Sequence, residues 1–332
     1  SLLFFIAPSA HAVSTIWTQT FNGAVNGFDK GSAIAVSSVT GNIYVSGISS
    51  ASTSEDIWVA KYNPAGLLLW TTTYSSIGSR NDASYGIALD INENVYVSGH
   101  ENRNDLSQNN NLWIRKYDSN GLVQWTTTYN SPGNSTETGS GIAVDAAGNV
   151  YVAGYEARTD LGQGNNVLVR KYSTSGLLQW STTYNSAGSG TDVAYSVAVD
   201  TPGNVYVGGV ETVGGQGYNA WVRKYDTNAL VLWTTTYNSP NNNNDHVYGI
   251  AVDTSGNVYV TGSEYRTDLS QDNDIWVRKY ASNASVVWTS TYNSPTNTAD
   301  VGTAISVDAS GNVFVTGYET RGDLVQGLNV WT

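Results

Sequence analysis

The sequence predicts an all-β protein assembled from repeated four-stranded antiparallel units, and three observations predict it. First, the tryptophans of Leu-Trp-Thr-Thr-Thr-Tyr and its variants recur as Trp17, Trp70, Trp125, Trp180, Trp233 and Trp288, with spacings of 53, 55, 55, 53 and 55 residues. Second, each interval holds four short runs rich in Val, Ile, Thr, Tyr and Trp, bounded by Gly, Asn, Asp and Ser, which is the chemistry of strands and turns. Third, no segment sustains a helical period with caps. Four short strands in a repeat of this length make one blade, and a ring of such blades is a β-propeller.

The elements follow in order within each interval. After Trp70, the innermost strand A is Gly86-Ile87-Ala88-Leu89-Asp90, and a tight turn leads to strand B, Asn94-Val95-Tyr96-Val97-Ser98-Gly99. A longer loop precedes strand C, Leu112-Trp113-Ile114-Arg115-Lys116-Tyr117, and strand D runs from Leu122 to Tyr129. The pattern opens with a lone D-type strand, Ser14 to Phe21, and stops in a lone C-type strand at Trp331. Pairing of these two is the expected closure, because it removes the open edges of the ring. The chain therefore reads as a single propeller over 13–332 with six blades, and a natural protein running further would have room for seven.

Asp-x-x-Gly-Asn-Val-Tyr-Val-x-Gly spans 145–154 and 253–262, with variants at 90–99, 200–209 and 308–317; Gly-Ile-Ala-Val-Asp precedes it, and Lys-Tyr and Trp follow. In these residues the chain resembles the bacterial SBBP-type β-propeller repeats, named for a seven-bladed propeller, and strands A and B are similar to NHL-type blades. The resemblance covers essentially all of 13–332. It implies the propeller fold and a secreted or surface protein, and it implies no particular activity.

Composition narrows the function classes. The 332 residues hold no Cys, 3 His, 11 Trp and 22 Tyr, with 15 Lys and Arg against 27 Asp and Glu for a formal charge of −12. Disulfides, thiolate metal sites and cysteine nucleophiles are excluded. An acidic surface repels phosphate backbones, so no nucleic-acid partner is expected. Residues 1–12, Ser-Leu-Leu-Phe-Phe-Ile-Ala-Pro-Ser-Ala-His-Ala, form a short apolar run ending in a small-x-small site, which predicts a truncated signal peptide cleaved after Ala12. The protein is therefore expected outside the cytoplasm: extracellular, on the cell surface or in the periplasm. No other apolar stretch approaches about 18 residues, so no membrane span is expected. It is read as a monomer or as part of a larger chain.

Successive strands are antiparallel, so the short A–B and C–D turns share one face and the long B–C and D–A loops share the other. Function concentrates in long loops on a rigid scaffold, which points to the second face. An acid stands eight residues before the A–B turn in every blade: Asp29, Asp82, Glu137, Asp192, Asp245 and Asp300. Six carboxylates at the channel mouth would suit calcium, the one cofactor considered. The competing reading, and the stronger one for a feature present in every blade, is that each acid accepts backbone N–H bonds in its own loop. Glu-x-Arg-x-Asp-Leu-x-Gln recurs from Glu101, Glu156, Glu264 and Glu319, and opposite charges at this spacing pin a loop. Nine of the bases lie in C strands among aromatics, where stacking is expected.

The aromatics that break the repeat are the candidate binding residues: Tyr85, Tyr195 and Tyr248 just before A strands, and His100, Tyr155, Tyr265 and Tyr318 just after B strands. Such platforms beside amides and hydroxyls suit a polysaccharide or a protein ligand. No nucleophile elbow, phosphate loop or zinc motif occurs. The reading is a binding or interaction module. The competing class is a glycan-active hydrolase or lyase using two acids of the channel mouth; a structural repeat region of a larger surface protein is the third.

Overall fold

The computed structural model describes residues 17–23, 25, 27–50, 54–77, 80–324 and 327–332. The expected signal segment over 1–12, its cleavage after Ala12 and the first residues of the lone D-type strand lie outside the described residues.

Six antiparallel blades follow one another along the chain. Blade 1 is β1 (Lys30–Val36), β2 (Ile43–Ser50), β3 (Glu55–Tyr62) and β4 (Leu68–Tyr74). Blade 2 is β5 (Ala83–Leu89), β6 (Val95–Asn102), β7 (Asn110–Tyr117) and β8 (Val123–Tyr129). Blade 3 is β9 (Glu137–Val144), β10 (Val150–Ala157), β11 (Asn165–Tyr172) and β12 (Leu178–Tyr184). Blade 4 is β13 (Val193–Val199), β14 (Val205–Thr212), β15 (Tyr218–Tyr225) and β16 (Val231–Tyr237). Blade 5 is β17 (Asp245–Val252), β18 (Val258–Tyr265), β19 (Asn273–Tyr280) and β20 (Val286–Tyr292). Blade 6 has three strands, β21 (Val301–Val307), β22 (Val313–Thr320) and β23 (Leu328–Trp331). The first strands of successive blades pack on one another around the axis. Helix is confined to single 3₁₀ turns among the described residues, and no helix is long and apolar enough to cross a membrane.

The repeated motif explains the local geometry. In the A–B turn of blade 3, Asp145 accepts the backbone N–H of Ala147 and Asn149, the Asn149 amide and the Tyr151 hydroxyl, all at 2.8–3.0 Å. One side chain thereby closes the turn and fixes the next strand. The left-handed position of this turn is Gly148 at φ 80°, while blade 2 places Glu93 there at φ 60°. Its carboxylate repays that conformation by accepting Lys61 Nζ at 3.0 Å and the Tyr44 hydroxyl at 2.9 Å across the blade boundary. Burial alone would raise Glu93, but hydrogen bonds from Ser37, Thr40, Lys61 and Tyr44 outweigh it and hold the carboxyl down to about 2.

The core lies between blades. Tyr96, Leu112, Ile114, Ile142, Val150 and Val152, all buried, join blade 2 to blade 3, and equivalent sets fill the junctions of blades 1 and 2, 3 and 4, and 4 and 5. The D-strand tryptophans of blades 1 to 4 reach forward to the next blade: the indole N–H donates from Trp70 to the Ser119 carbonyl at 3.1 Å and from Trp125, Trp180 and Trp233 to Thr174, Thr227 and Ser282 at 3.0 Å. Trp17 repeats the move onto Pro64 at 3.0 Å, and Phe21 stacks on Trp58 at 4.2 Å. Residues 17–21 thus sit on blade 1 as a D strand sits on its successor. The expected closure is nevertheless not found among the described residues. Residues 17–23 form no strand, and β23 pairs only with β22.

Candidate ligand-binding face

The acids of the channel mouth are placed one per blade at or just before the first strand. Asp82, Glu137, Asp192, Asp245 and Asp300 are fully buried. Asp82 accepts the N–H of Ser76 at 2.5 Å and of Asn102 at 2.8 Å, tying the end of one blade to the end of strand B in its own. Asp192 does the same with Ser186 and Thr212, Asp245 with Ser239 and Tyr265, Asp300 with Ser294 and Thr320, and Asp29 with Gly23 and Ser50. Glu137 accepts the Ser131 hydroxyl at 2.6 Å and leaves its second oxygen buried without a partner. Burial pushes Asp82 and Asp245 up to about 6 and Glu137 up to about 7. Among the described residues no three His, Asp or Glu side chains converge in a metal-binding arrangement.

The Glu-x-Arg-x-Asp loops are anchored twice. Arg103, Arg158 and Arg266 grip Asp105, Asp160 and Asp268 through two bonds each at 2.9–3.0 Å, and Arg321 grips Asp323. The same guanidinium faces the preceding Glu at 3.3–3.5 Å. That Glu also accepts the hydroxyl of a D-strand tyrosine in the blade before: Tyr74 to Glu101, Tyr129 to Glu156 at 2.7 Å, Tyr237 to Glu264 at 2.6 Å and Tyr292 to Glu319 at 2.6 Å; Glu211, which has no such arginine, accepts Tyr184 at 2.5 Å. The C-strand bases are equally engaged. Arg115, Arg170, Arg223 and Arg278 lie 3.8–4.3 Å over Tyr74, Tyr129, Tyr184 and Tyr237. Lys61, Lys116, Lys171, Lys224 and Lys279 lie over B-strand tyrosines at 4.8–5.2 Å. These bases stabilise blade junctions instead of lining a groove.

The unrepeated tyrosines owe their placement to a backbone irregularity. Every first strand carries one bulge against strand B, and the bulged residues are Ser32, Tyr85, Ser140, Tyr195, Tyr248 and Thr303. A bulge re-aims its side chain away from the regular pleat. Tyr195 reaches Tyr248 of the next blade, ring centroids 5.2 Å apart, and His246 lies flat on Tyr248 at 5.1 Å and 8°. Tyr218 meets His246 edge-on at 5.7 Å, and Tyr85 meets His100 at 5.6 Å. Burial raises the phenol pKa values of Tyr85, Tyr195 and Tyr248, and neighbouring phenols add to it: Tyr155 for Tyr85, Tyr248, Tyr218 and Tyr155 for Tyr195, and Tyr318 for Tyr248. Ring contacts thus join Tyr85 to His100 in blade 2 and link blades 4 and 5, and the phenols of Tyr155 in blade 3 and Tyr318 in blade 6 stand near enough to act on these electrostatically, which sets the rings along one arc through blades 2 to 6. Burial lowers His100 and His246 to about 4, so both imidazoles are neutral at pH 7, and each has a buried Nδ1 without a partner.

Six of the seven expected residues, Tyr85, His100, Tyr155, Tyr195, Tyr248 and Tyr318, thus lie along this arc. Tyr265 stands apart: it ends β18, two residues beyond the strand position of His100, Tyr155 and Tyr318, and donates its N–H to Asp245 at 3.4 Å. Two members of the arc, Tyr218 and His246, escape the sequence reading. Both replace residues that are small, aliphatic or polar in most other blades, and that departure from the repeat is the signal that would have found them.

The fold and this face define a β-propeller repeat protein. More narrowly, the family model described as SBBP, beta-propeller repeat, matches residues 124–155 and 235–263, and the blades around them repeat the same plan, which supports an SBBP-type repeat family. An uncharacterized WD repeat-containing protein of Acanthamoeba polyphaga mimivirus is 22% identical over 284 residues, covering 74% of this chain; the chain spans only 18% of that protein's length. A protein of unknown function from Dyadobacter fermentans shares the fold at 9% identity and a TM-score of 0.55, over 90% of this chain and 92% of that one. Chaetomium thermophilum Sqt1 bound to the N-terminus of ribosomal protein L10 does so at 11% identity and 0.51, over 92% and 88%.

Proposed function

We propose that this propeller is a binding module that holds a segment of a protein ligand against the tyrosine arc of its long-loop face, and that it works outside the cytoplasm. The observation that carries the reading is the arc itself, neutral aromatic surface spread over five blades. Tyrosine offers large contact area for little lost entropy and a polar edge for hydrogen bonds, the combination binding faces use. The fold is shared with a propeller that holds the N-terminus of another protein. Five of the six carboxylates a hydrolase would call on are engaged with backbone amides, which favours binding over turnover. Export rests on the apolar run and Ala-x-Ala ending of residues 1–12.

The test is retention of peptide and polysaccharide libraries by the wild-type chain and by Tyr195→Ala and Tyr248→Ala, with sugar release assayed in the same wells. Peptide retention that weakens roughly tenfold or more in either variant is expected. Retention indifferent to both tyrosines would remove the arc from the function. Retention confined to polysaccharides would transfer the arc to that ligand, and released sugar would revive the hydrolase. Binding unchanged by chelator is expected, because five of the six acids are already engaged by backbone N–H donors.

A further inference from the structure

The charge of this chain is not spread evenly along the propeller axis. The end that carries the A–B and C–D turns holds 8 acids and 9 bases, while the end that carries the long loops holds 19 acids and 6 bases. Every blade is net negative at the long-loop end, from one charge in blade 2 to four in blade 5. Four of the six bases there, Arg103, Arg158, Arg266 and Arg321, are already clamped on aspartates. Burial brings Glu137 and Asp274 to about 7, and the end stays negative with both protonated. Acids held on one end of a rigid frame sum into a field that reaches about a Debye length, ~8 Å at physiological salt, beyond the surface.

The tyrosines divide in the same way. The B-strand tyrosines of blades 1 to 5 and the D-strand tyrosines of blades 1 to 4 each carry a lysine or arginine of the chain itself, at 3.8–5.2 Å. Among the described residues no lysine or arginine lies over Tyr85, Tyr155, Tyr195, Tyr218, Tyr248 or Tyr318. The arc is therefore the set of tyrosines left without a cation, and it stands at the negative end. Burial, then Tyr155 and the carboxylate of Glu55, raise the Tyr85 phenol, so an acid reaches the arc directly. The densest rings, Tyr195, Tyr218 and Tyr248, gather at blades 4 and 5, and blade 5 has the largest excess of acids.

We propose that the segment held by the arc is a lysine- and arginine-rich stretch of a partner protein, whose cations settle on the rings that the chain leaves uncovered. The proposal rests on the reading of the arc as the binding face and names the chemistry of its ligand. A cation over a tyrosine face is attracted by the ring quadrupole, the more so where water is displaced. The surrounding acids draw the same segment in and turn an acidic one away, which sets partner choice and association rate.

The test selects random dodecapeptides on the whole chain at about 50 mM and about 300 mM salt. The retained sequences are read, and the strongest are measured again with Tyr85→Ala, Tyr195→Ala and Tyr248→Ala. Tyr85 is 38% exposed, so its variant disturbs packing least. Lysine and arginine are expected to dominate the retained peptides, with affinity falling roughly tenfold or more at the higher salt and in at least one variant. Neutral or acidic peptides that still depend on the tyrosines would overturn this inference and leave the arc standing as a binding face. Basic peptides indifferent to all three tyrosines, or no retained peptide at all, would overturn both. Spermine bound as tightly as the best peptide would overturn the assignment to a protein segment.

Discussion

The hydroxyl of each D-strand tyrosine and the carboxylate of each B-strand glutamate make a single bond across a blade boundary, and the one exception shows how that bond is maintained. Where Phe21 occupies the tyrosine position, Ser49 occupies the glutamate position. A buried carboxylate without its donor costs about 1–3 kcal/mol or more, so donor and acceptor are absent together. Tyr184→Phe tests this, because Glu211 has no loop arginine to fall back on. A loss of about 1–3 kcal/mol in denaturant unfolding is expected, with partial recovery in Tyr184→Phe/Glu211→Ser. A second irregularity is Asp274. Blades 2 to 4 bond an asparagine amide to a loop glutamine, Asn111 to Gln108 at 2.8 Å, Asn166 to Gln163 at 2.8 Å and Asn219 to Gln216 at 2.6 Å. Blade 5 has Asp274 in that place, and an oxygen of Asp274 and of Gln271 is left buried and unpartnered. Burial, then the nearby Glu264 and Asp300, push Asp274 up to about 7. The folded chain keeps a proton that the unfolded chain releases near pH 4, so the site's contribution is full below that pH and lost as pH rises through about 7. Asp274→Asn is expected to raise the melting temperature more at pH 8 than at pH 5; an equal shift at both would show that the carboxyl does not titrate there.

At the scale of the element, strands and turns were legible because their causes are local: alternating β-branched residues, and an aspartate with a left-handed residue three positions on. The glycine that ends the Asn-Val-Tyr-Val-x-Gly motif has a less local cause. It faces the bulge of strand A, and a Cβ on Gly154 would stand 1.8 Å from the Thr138 carbonyl oxygen, as it would at 1.8–1.9 Å in the other five blades. Backbone cannot yield as a flexible side chain does. Gly154→Ala is expected to destabilise by about 3 kcal/mol or more in denaturant unfolding. Sequence could mark the glycine as repeated without saying why, because the bulge appears only when two strands are paired.

For the whole molecule, the period of the tryptophans foretold blades, and the parity of antiparallel strands foretold which loops share a face. The acids show the limit. Their position before each first strand was legible, but whether six carboxylates point into a channel or into their own loops depends on side-chain direction, and the structure turns them onto backbone N–H groups. The arc was half legible: unrepeated rings stand out one by one, whereas their contact across blades is created by the ring. The buried acids also set how the molecule responds to pH. With Asp82 and Asp245 near 6 and Glu137 and Asp274 near 7, the folded state holds protons that the unfolded state gives up, and stability falls as pH rises through that range. The two lowered imidazoles act in the opposite sense, but only below about 6.5. Melting temperature is therefore expected to fall from pH 6.5 to pH 8; a rise over that interval would contradict the protonated acids.

The bulge in each first strand has one further consequence. Its residue is a serine in two blades, a threonine in one and a tyrosine in three, while the glycine opposite never changes. The backbone detour is held by the glycine, so the side chain it displays is under no obligation to the blade. The propeller thus keeps six interchangeable sockets around its axis, and a new ligand can be accommodated by changing what is plugged into them while the frame that holds them stays as it is.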